Sequence, residues 1–320
     1  MTPILVTGAL GQVGAELVPA LRSLYGVGQV LATDLRKGTP DHPSLAGPFE
    51  QLDCTDGVAL RGLLERYRIK VIYHLAAVLS ARAEAEPLLA WRVNMEGLHT
   101  VLEAARQVGA QVFVPSSIAA FGPTTPRDPT PQDTIQRPNT LYGVTKVAGE
   151  LLCDYYVQRF GLDVRGLRYP GLVSYTAPPG GGTTDYAVEI FHHALRQGQY
   201  TSFLGPDTRL PLMYMPDAIR ATLELMQADP AKLRHHNAFN IAAFSCTPAE
   251  LAAEIQKHRP DFKMFYAVDP VRQAIAESWP HRLDDSAARE EWGWRPQFDL
   301  AAMTQDMLEK LSLRTIQRGA

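Results

Sequence analysis

A tyrosine and a lysine stand four residues apart in the segment Tyr142-Gly-Val-Thr-Lys146. Residues at this spacing lie on one face of a helix, so the phenol and the ammonium group are neighbours if the segment is helical. A phenol with a pKa of about 10 is a poor base at neutral pH, but a neighbouring cation favours the phenolate. The pair therefore predicts a general base for a hydroxyl proton, although such pairs also occur by chance on amphipathic helices.

Hydroxyl and amide side chains accompany this pair. Ser116 and Ser117 follow the apolar run Val112–Pro115, which places their hydroxyls at the carboxyl edge of a sheet. Doubly wound folds bind their ligands at that edge. Asn94 falls in the middle of a predicted helix, where asparagine is unfavourable unless its side chain has a partner. It either holds a water or a backbone carbonyl behind Lys146 or faces solvent.

A glycine-rich turn, Thr7-Gly8-Ala9-Leu10-Gly11-Gln12-Val13-Gly14, stands between a strand pattern and a helical pattern. Glycines at this spacing allow a tight turn, a close approach to a pyrophosphate and close packing of the helix on the strand. Phosphate oxygens then meet free N–H groups at the positive end of the helix dipole. Three glycines also occur in turns that bind nothing, but here the flanking elements have the required order.

Asp34 ends the second strand pattern, 20 residues after Gly14. A carboxylate at this position accepts hydrogen bonds from the adenosine ribose hydroxyls and repels a 2′-phosphate. It therefore favours NAD over NADP. Arg36 could serve a phosphate, but an exposed arginine is the simpler interpretation.

Two further stretches are candidates for contact with the dinucleotide. Asp53-Cys54 follows the apolar run Phe49–Leu52, and the acid could bind the adenine amino group or cap the helix that begins near Asp56. His74-Leu75-Ala76-Ala77 ends another strand with small residues, which would let the backbone pass close to the cofactor. Because His74 has no partner at metal-ligand spacing, we interpret it as a hydrogen-bonded core histidine.

Short apolar runs alternate with helical patterns through the first half of the chain. Strands that are apolar throughout are typical of a sheet buried on both faces. We predict strands at Ile4–Thr7, Val30–Asp34, Val71–Ala77, Val112–Ser116 and Val164–Tyr169, and helices at Gln12–Leu24, Val58–Tyr67, Leu88–Gln107 and Tyr142–Phe160. The alternation implies right-handed crossovers and an α/β fold, a doubly wound parallel sheet of the Rossmann type.

The pattern changes after residue 170. The Gly- and Pro-rich stretch Tyr175–Asp185 predicts a loop, with Asp185 as the N-cap of the next helix. Further predicted elements are helices Asp185–Arg196 and Ala218–Met226, strands Ala238–Ala242 and Lys263–Val268, and a last helix capped by Asp299. We divide the chain into a dinucleotide-binding core (1–170, with 215–245 returning to it), a smaller interleaved substrate-binding region (171–214 and 246–298) and a C-terminal helix (299–320).

Composition excludes several classes of protein. The 320 residues are 46% hydrophobic and 20% charged, as in ordinary globular proteins. A net charge of −3 leaves no basic footprint for nucleic acid. Cys54, Cys153 and Cys246 are too widely spaced for a metal site and suit a reducing compartment. With no targeting segment or membrane-spanning run, we expect a cytoplasmic enzyme without membrane or nucleic-acid partners.

Together, these motifs resemble the extended short-chain dehydrogenase/reductase family along the whole chain. The resemblance rests on the glycine turn, Asp34, His74–Ala77, Asn94, Ser117, Tyr142-x-x-x-Lys146 and Arg168-Tyr-Pro-Gly171, in that order. It implies an NAD-dependent oxidoreductase in which Tyr142 is the acid/base, Lys146 holds the phenolate and the nicotinamide ribose, and Ser117 orients the substrate oxygen. It also implies that Asn94 supports a proton-relay water and that the backbone at Leu172 meets the nicotinamide carboxamide. The complete set of expected cofactor contacts is Gly8, Gly11, Gln12, Val13, Gly14, Asp34, Asp53, Cys54, Leu75, Ala76, Ala77, Asn94, Tyr142, Lys146 and Leu172.

Longer strings are similar to one branch of this family, the L-threonine 3-dehydrogenases. These strings are Pro115–Pro123, Leu167–Ser174, Pro178–Tyr186, Ser278-Trp-Pro and Asp284-Asp-Ser286. The similarity implies oxidation of the C3 hydroxyl of L-threonine to 2-amino-3-oxobutanoate, a step of threonine catabolism. Expected substrate contacts are Ser80, Ser117, Tyr142, Thr183 and Thr184, with Trp279 as an apolar wall. Ser80 and Thr184 could instead cap helices, and Trp279 could pack in the core.

Two other functions share most of these features. A nucleotide-sugar epimerase or dehydratase uses the same cofactor residues, but the Gly-rich loop offers no basic pair for its diphosphate. A non-catalytic NAD-binding redox sensor would not need Ser117, Tyr142 and Lys146 together. The family also pairs the helices Leu88–Gln107 and Tyr142–Phe160 at a dimer interface, so the resemblance implies a homodimer.

Overall fold

The computed structural model describes residues 2–177 and 180–319, with side chains up to residue 314. The strands are β1 (Ile4–Thr7), β2 (Val30–Asp34), β3 (Phe49–Gln51), β4 (Val71–His74), β5 (Gln111–Phe113), β6 (Ser116–Ser117), β7 (Val164–Arg165), β8 (Leu167–Tyr169), β9 (Gly171–Val173), β10 (Gln199–Ser202), β11 (Leu210–Tyr214), β12 (Phe239–Asn240), β13 (Phe244–Cys246) and β14 (Lys263–Tyr266). The helices are α1 (Gly14–Tyr25), α2 (Gly57–Arg66), α3 (Ser80–Ala85), α4 (Pro87–Trp91), α5 (Gly97–Val108), α6 (Leu141–Phe160), α7 (Tyr186–Gln197), α8 (Met215–Gln227), α9 (Pro248–His258), α10 (Pro270–Glu277), α11 (Ser286–Trp292) and α12 (Leu300–Gly319).

A parallel sheet of six strands forms the centre of the fold, in the order β3-β2-β1-β4-β5-β7. Side chains alternate between the two faces of a strand. Ile72 and Val112 therefore pack with α2, α5 and α6 on one face, while Val6 and Phe113 pack with α1 and α8 on the other. A third core joins α7, α9 and α12 in the C-terminal half. The predicted doubly wound α/β fold is confirmed.

Two predicted strands are divided between sheets. The run Val112–Ser116 splits into β5 and β6, and the run Val164–Tyr169 splits into β7 and β8. In each case the first piece stays in the central sheet, and the second joins a three-stranded sheet ordered β12-β8-β6. Pro115 lacks the N–H group that a continuing strand would donate, which accounts for the first interruption. The division brings the serines of β6 beside β8.

Other predicted boundaries shift for local reasons. β4 ends at His74, three residues before the predicted end, and the stretch Leu75–Ala77 leaves the ladder. The predicted helix Leu88–Gln107 consists of α4, a π-helical turn at Arg92–Glu96 and α5. Such turns are frequent at functional sites, and this one contains the buried Asn94. The predicted cap at Asp299 is present, because its carboxylate accepts from the Ala302 N–H at 2.8 Å.

Two glycines of the turn after β1 are required by the backbone itself. Gly8 has φ +66°, and a Cβ there would lie 2.6 Å from the nitrogen of Ala76. A Cβ on Gly14 would lie 2.5 Å from the carbonyl oxygen of Ala9. Both glycines therefore hold the turn close to β4 and α1 whether or not a ligand is bound.

Within the described residues, no helix combines the length and apolar composition of a membrane span. In the same part of the chain, no three His, Cys, Asp or Glu side chains gather as a metal site would require.

Candidate active site

Helix α6 carries the tyrosine and lysine that the spacing singled out. The Thr140 hydroxyl caps its first turn by accepting from the Gly143 N–H at 3.1 Å. The Lys146 ammonium lies 5.5 Å from the centre of the Tyr142 ring, and both side chains line one cavity. The predicted helical juxtaposition of phenol and ammonium is therefore present.

Ser117 lies opposite this helix at the end of β6. Its hydroxyl accepts from the Ala119 N–H at 3.2 Å, and it is hydrogen-bonded to the Tyr142 phenol. The pairing of β6 with β8 sets Ser117 level with Tyr169, another residue of the same cavity wall. Ser117, Tyr142 and Lys146 thus converge on one point from a strand and a helix.

Burial dominates the electrostatics of this group. Desolvation raises the pKa of Tyr142 to about 12, against the effect of the Ser117 hydrogen bond. It also lowers the pKa of Lys146 to about 8, against the effect of Glu150. The lysine donates to the Pro115 carbonyl at 2.7 Å. The expected stabilisation of the phenolate by Lys146 is therefore outweighed here, and Tyr142 is a phenol at neutral pH.

The cavity in front of these three residues measures about 220 Å³ and runs from the glycine turn to the Gly-rich loop. The expected cofactor contacts along it are Gly8, Gly11, Gln12, Val13, Gly14, Leu75, Ala77, Tyr142, Lys146 and Leu172. All five expected substrate contacts also line it, namely Ser80, Ser117, Tyr142, Thr183 and Thr184. Ser80 is the first residue of α3 after the N-cap Leu79, so it is not a helix cap.

Five expected cofactor contacts lie elsewhere. Ala76 and Asn94 line a smaller cavity of about 30 Å³ behind Lys146. The Asn94 side chain bonds both backbone groups of Val78, at 2.8 and 3.1 Å, and the Thr145 hydroxyl at 3.1 Å. Of the three alternatives considered for Asn94, a water, a backbone carbonyl or solvent, the structure shows the backbone carbonyl, which belongs to Val78.

The other three are Asp34, Asp53 and Cys54, which lie outside both cavities. Asp53 accepts from the Thr55 N–H at 2.9 Å, whereas Asp56 caps α2. The capping role considered for Asp53 is therefore wrong, and the carboxylate remains 39% exposed. Cys54 is buried as a free thiol.

Asp34 ends β2 against the glycine turn. Its carboxylate accepts from the Leu10 N–H at 3.0 Å and from the Arg36 guanidinium at 3.0 and 3.2 Å. The Arg36 side chain is 65% exposed and the Asp34 side chain is 7% exposed. Arg36 is thus the exposed partner of a buried carboxylate.

His74 is a hydrogen-bonded core residue, as predicted. Its Nδ1 lies 2.8 Å from the Thr7 hydroxyl, and burial lowers its pKa to about 3. The ring is therefore neutral.

Two polar atoms on the cavity wall lack a hydrogen-bond partner within the described part of the chain. They are Nε2 of Gln12, at the start of α1, and Oγ1 of Thr183, which is 1% exposed. Buried polar atoms almost always have partners, so these two mark positions that a ligand would satisfy. Gln12 lies beside the first turn of α1, where a pyrophosphate is expected to bind. The residues present therefore fit a dinucleotide.

Asp185 is the residue of this site that sequence reasoning missed. It occupies the predicted N-cap position of α7 but caps none of its N–H groups. Its Oδ2 instead accepts from the N–H groups of Gly181 and Gly182, both at 2.7 Å. Among the described residues it is the one carboxylate on the wall of the 220 Å³ cavity, and burial raises its pKa. The signal in the sequence was that this acid directly follows Thr183 and Thr184, the two predicted substrate contacts.

Trp279 lines the same cavity as Tyr142 and is 5% exposed. Its ring also belongs to the C-terminal core, so the core-packing interpretation is confirmed, and its role as a wall for substrate stays a prediction.

Comparison with known proteins agrees with this geometry. Residues 4–242 match the NAD dependent epimerase/dehydratase family. The chain belongs to that family. NAD is its cofactor, and the family resemblance drawn from the motifs is confirmed.

Two solved structures and one further sequence are similar to this chain over nearly its whole length. It is 52% identical to an L-threonine dehydrogenase from Clostridium difficile, with a TM-score of 0.96 and coverage of 98% of both chains. A monomeric L-threonine 3-dehydrogenase of metagenomic origin is 46% identical, with a TM-score of 0.93 over 97% of this chain and 99% of that one. An uncharacterized epimerase/dehydratase from Staphylococcus haemolyticus is 53% identical over 97% of this chain and 98% of its own. The described fold thus recurs in the two solved L-threonine dehydrogenase structures.

Proposed function

We propose that this family member oxidises the C3 hydroxyl of L-threonine to 2-amino-3-oxobutanoate, with Tyr142 as the base. The observation that carries the proposal is the convergence of Ser117, Tyr142 and Lys146 on a cavity to which the described residues contribute one carboxylate, Asp185. The similarity to L-threonine dehydrogenases supports the same substrate.

The residues divide the chemistry between them. Ser117 and Tyr142 hold the C3 oxygen, and Tyr142 takes its proton as the phenolate, after losing its own proton to solvent. Lys146 stabilises the charge that then forms on the phenol oxygen. Bound NAD supplies the hydride acceptor, and Gly8–Gly14 with Gln12 would hold its pyrophosphate. Proton transfer to a positioned base contributes about 10²–10⁴-fold to the rate.

The charges of the substrate require complementary groups. Asp185 would pair with the ammonium, because its carboxylate is fixed by two backbone N–H groups and faces the cavity. The Thr183 hydroxyl, which has no partner among the described residues, would donate to the carboxylate, and Ser80 and Thr184 line the same cavity. These anchors belong to the proposed substrate-binding region (171–214 and 246–298), except for Ser80, which follows the core strand β4. The cofactor turn belongs to the proposed core.

A nucleotide-sugar substrate fits this lining poorly. Its diphosphate would need cations, and Lys146 is the one cation that the described residues contribute to the cavity wall. That lysine already serves the base. A zwitterion that brings its own ammonium matches a single fixed carboxylate better.

The direct test is NADH formation by the purified protein with L-threonine and NAD. We expect L-threonine to be oxidised readily and 2-butanol, which lacks both charged groups, to be left unchanged. Epimerisation of a UDP-sugar without activity on L-threonine would overturn the proposal but leave the fold assignment intact. Tight NAD binding with no turnover of either class would indicate a redox sensor.

Replacing Asp34 with alanine should weaken NAD binding and reduce the preference for NAD over NADP. The variant loses the acceptor for the ribose hydroxyls and the charge that repels a 2′-phosphate, and it frees Arg36 to meet that phosphate. Dissociation constants for both dinucleotides, measured by titration calorimetry, check this. Asp163→Ala, which loses an acid paired with an arginine away from the cleft, is the control. A wild-type protein that binds NADP as tightly as NAD would contradict the ribose assignment.

We also propose a homodimer through α4–α5 and α6. Both helical stretches expose large apolar side chains, namely Leu88, Trp91, Val144, Leu151 and Tyr155. Light scattering should give twice the mass of the 35.3 kDa chain, and Leu151→Glu should halve it. Because one close relative is monomeric, a monomeric wild-type protein is the contradicting result.

A further inference from the structure

A buried ion pair lies beneath the three residues of the proposed active site, and the mechanism above does not use it. Glu150 follows Lys146 by one turn of α6, and its side chain is 4% exposed. Arg168 of β8 donates two hydrogen bonds to its carboxylate, at 2.9 and 2.8 Å. The guanidinium also lies 5.0 Å from the centre of the Phe121 ring and donates to the Gln132 carbonyl at 2.8 Å.

The same carboxylate reaches the strand that carries Ser117. One oxygen of Glu150 accepts a hydrogen bond from the Ser116 hydroxyl, and the other accepts from Gln136 at 2.7 Å. Ser116 is level with Arg168 in the pairing of β6 with β8. Glu150 is therefore the junction of α6, β6 and β8, the three elements behind the catalytic group.

Glu150 also faces Lys146. Both residues, together with Ser116, line the 30 Å³ cavity. The titratable groups near Lys146 in the described residues are Tyr142, Glu150 and Cys153 on its own helix and His74 on β4. His74 is neutral at physiological pH, and burial raises the pKa of the Cys153 thiol. Glu150 is thus the one negative charge among them.

We propose that Glu150, held by Arg168, is a positioning residue that sets Ser117, Tyr142 and Lys146 in one arrangement and keeps Lys146 charged. The proposal rests on the proposed function, since it assigns a role within that reaction. The alternative is a buried pair that only stabilises the fold. Removal of one partner from such a pair is strongly destabilising in itself, so the test needs measurements that stability alone does not change.

The principal variant is Glu150→Gln, which keeps the size and hydrogen-bonding reach of the side chain. Without the carboxylate, the pKa of Lys146 should fall by about one unit, because its nearest opposite charge is lost. Competitive labelling of amines across a pH series measures this pKa without substrate or cofactor. Neutral Lys146 stabilises the phenolate less, so the acid limb of kcat/KM for L-threonine should move to higher pH.

Turnover should fall by at least about 10-fold, with NAD affinity within about three-fold of wild type. The double variant Glu150→Gln/Arg168→Met, which leaves no unpaired charge, should fold and show the same loss. Arg165→Met is the matched control. It removes a buried arginine that is paired with Asp163. The Arg165 guanidinium also donates to the Leu225 and Ala228 carbonyls, away from the cleft. It should lower Tm but leave kcat unchanged when assayed well below that temperature.

Wild-type kcat and an unchanged Lys146 pKa in folded Glu150→Gln would overturn the positioning role. An equal loss of kcat in Arg165→Met at the same loss of Tm would also overturn it. If the wild-type protein does not oxidise L-threonine, the proposed function fails by itself, and the labelling experiment still decides whether Glu150 keeps Lys146 charged.

Discussion

Turnover of L-threonine should fall by about 10²–10⁴-fold in Tyr142→Phe, while the affinity for NAD stays nearly unchanged. The substitution removes the oxygen that accepts the substrate proton and keeps the ring that walls the cavity. Ser117 and Lys146 remain, but neither replaces a phenolate at that point. Stopped-flow and steady-state kinetics with L-threonine, together with NAD titration, check both halves of the prediction.

The pH dependence follows from the same site. Deprotonation of Tyr142 creates the base, and burial raises its pKa to about 12. Activity of the wild-type protein should therefore rise with pH from neutrality. Since burial lowers the pKa of Lys146 to about 8, loss of its proton should begin to oppose the rise above that pH. Tyr73→Phe, which alters a buried tyrosine of the central sheet, should leave the pH profile unchanged.

For the Tyr142→Phe variant, substantial remaining activity on L-threonine would exclude Tyr142 as the base.

Asp185→Asn should lower kcat/KM for L-threonine by roughly 30-fold or more, the equivalent of about 2 kcal/mol. The amide keeps the size of the side chain and its acceptor for the N–H groups of Gly181 and Gly182, but it no longer carries the charge that would pair with the ammonium. Because burial raises the pKa of Asp185, the KM of the wild-type protein should also increase on acidification at a higher pH than for an ordinary aspartate.

A substrate that lacks the ammonium group distinguishes loss of the ion pair with Asp185 from general damage to the site. 3-Hydroxybutyrate should be a poor substrate of the wild-type protein, and Asp185→Asn should not weaken it further. Glu189→Gln changes the next carboxylate along α7, which is bonded to Tyr200 and lies outside the cavity wall, and should behave as wild type. An equal loss on both substrates in Asp185→Asn would mean that the carboxylate only shapes the loop.

Much of this arrangement was predictable because it depends on local spacing. The structure has strands at the predicted residues Ile4–Thr7 and Val30–Asp34. Short, mostly apolar runs are typical of strands that are buried on both faces of a parallel sheet. Tyr142 and Lys146 meet because a helix brings residues four apart together. These features need no knowledge of the distant chain.

Features that depend on distant partners were not predictable in the same way. The high pKa of Tyr142 comes from burial by several elements, which the Tyr-Lys spacing does not encode. Asp185 follows the pattern of a helix cap, but the turn at Gly181 and Gly182 folds back onto its carboxylate. In the sequence, Glu150 is an ordinary polar residue of a helix. Its role as a hydrogen-bond acceptor for Arg168 of β8 and Ser116 of β6 depends on the tertiary fold.

The measurement that tests the central claim most directly is transfer of the label from L-threonine deuterated at C3. With NAD and the wild-type protein, mass spectrometry should find one deuterium on the nicotinamide ring of the reduced cofactor, none on the amino-ketone product, and a stoichiometry of one to one. The Tyr142→Phe protein should form the deuterated cofactor and the amino-ketone far more slowly. Reduced cofactor without deuterium, or no reduction from L-threonine under conditions in which NAD is bound, would contradict the proposed hydride transfer from C3.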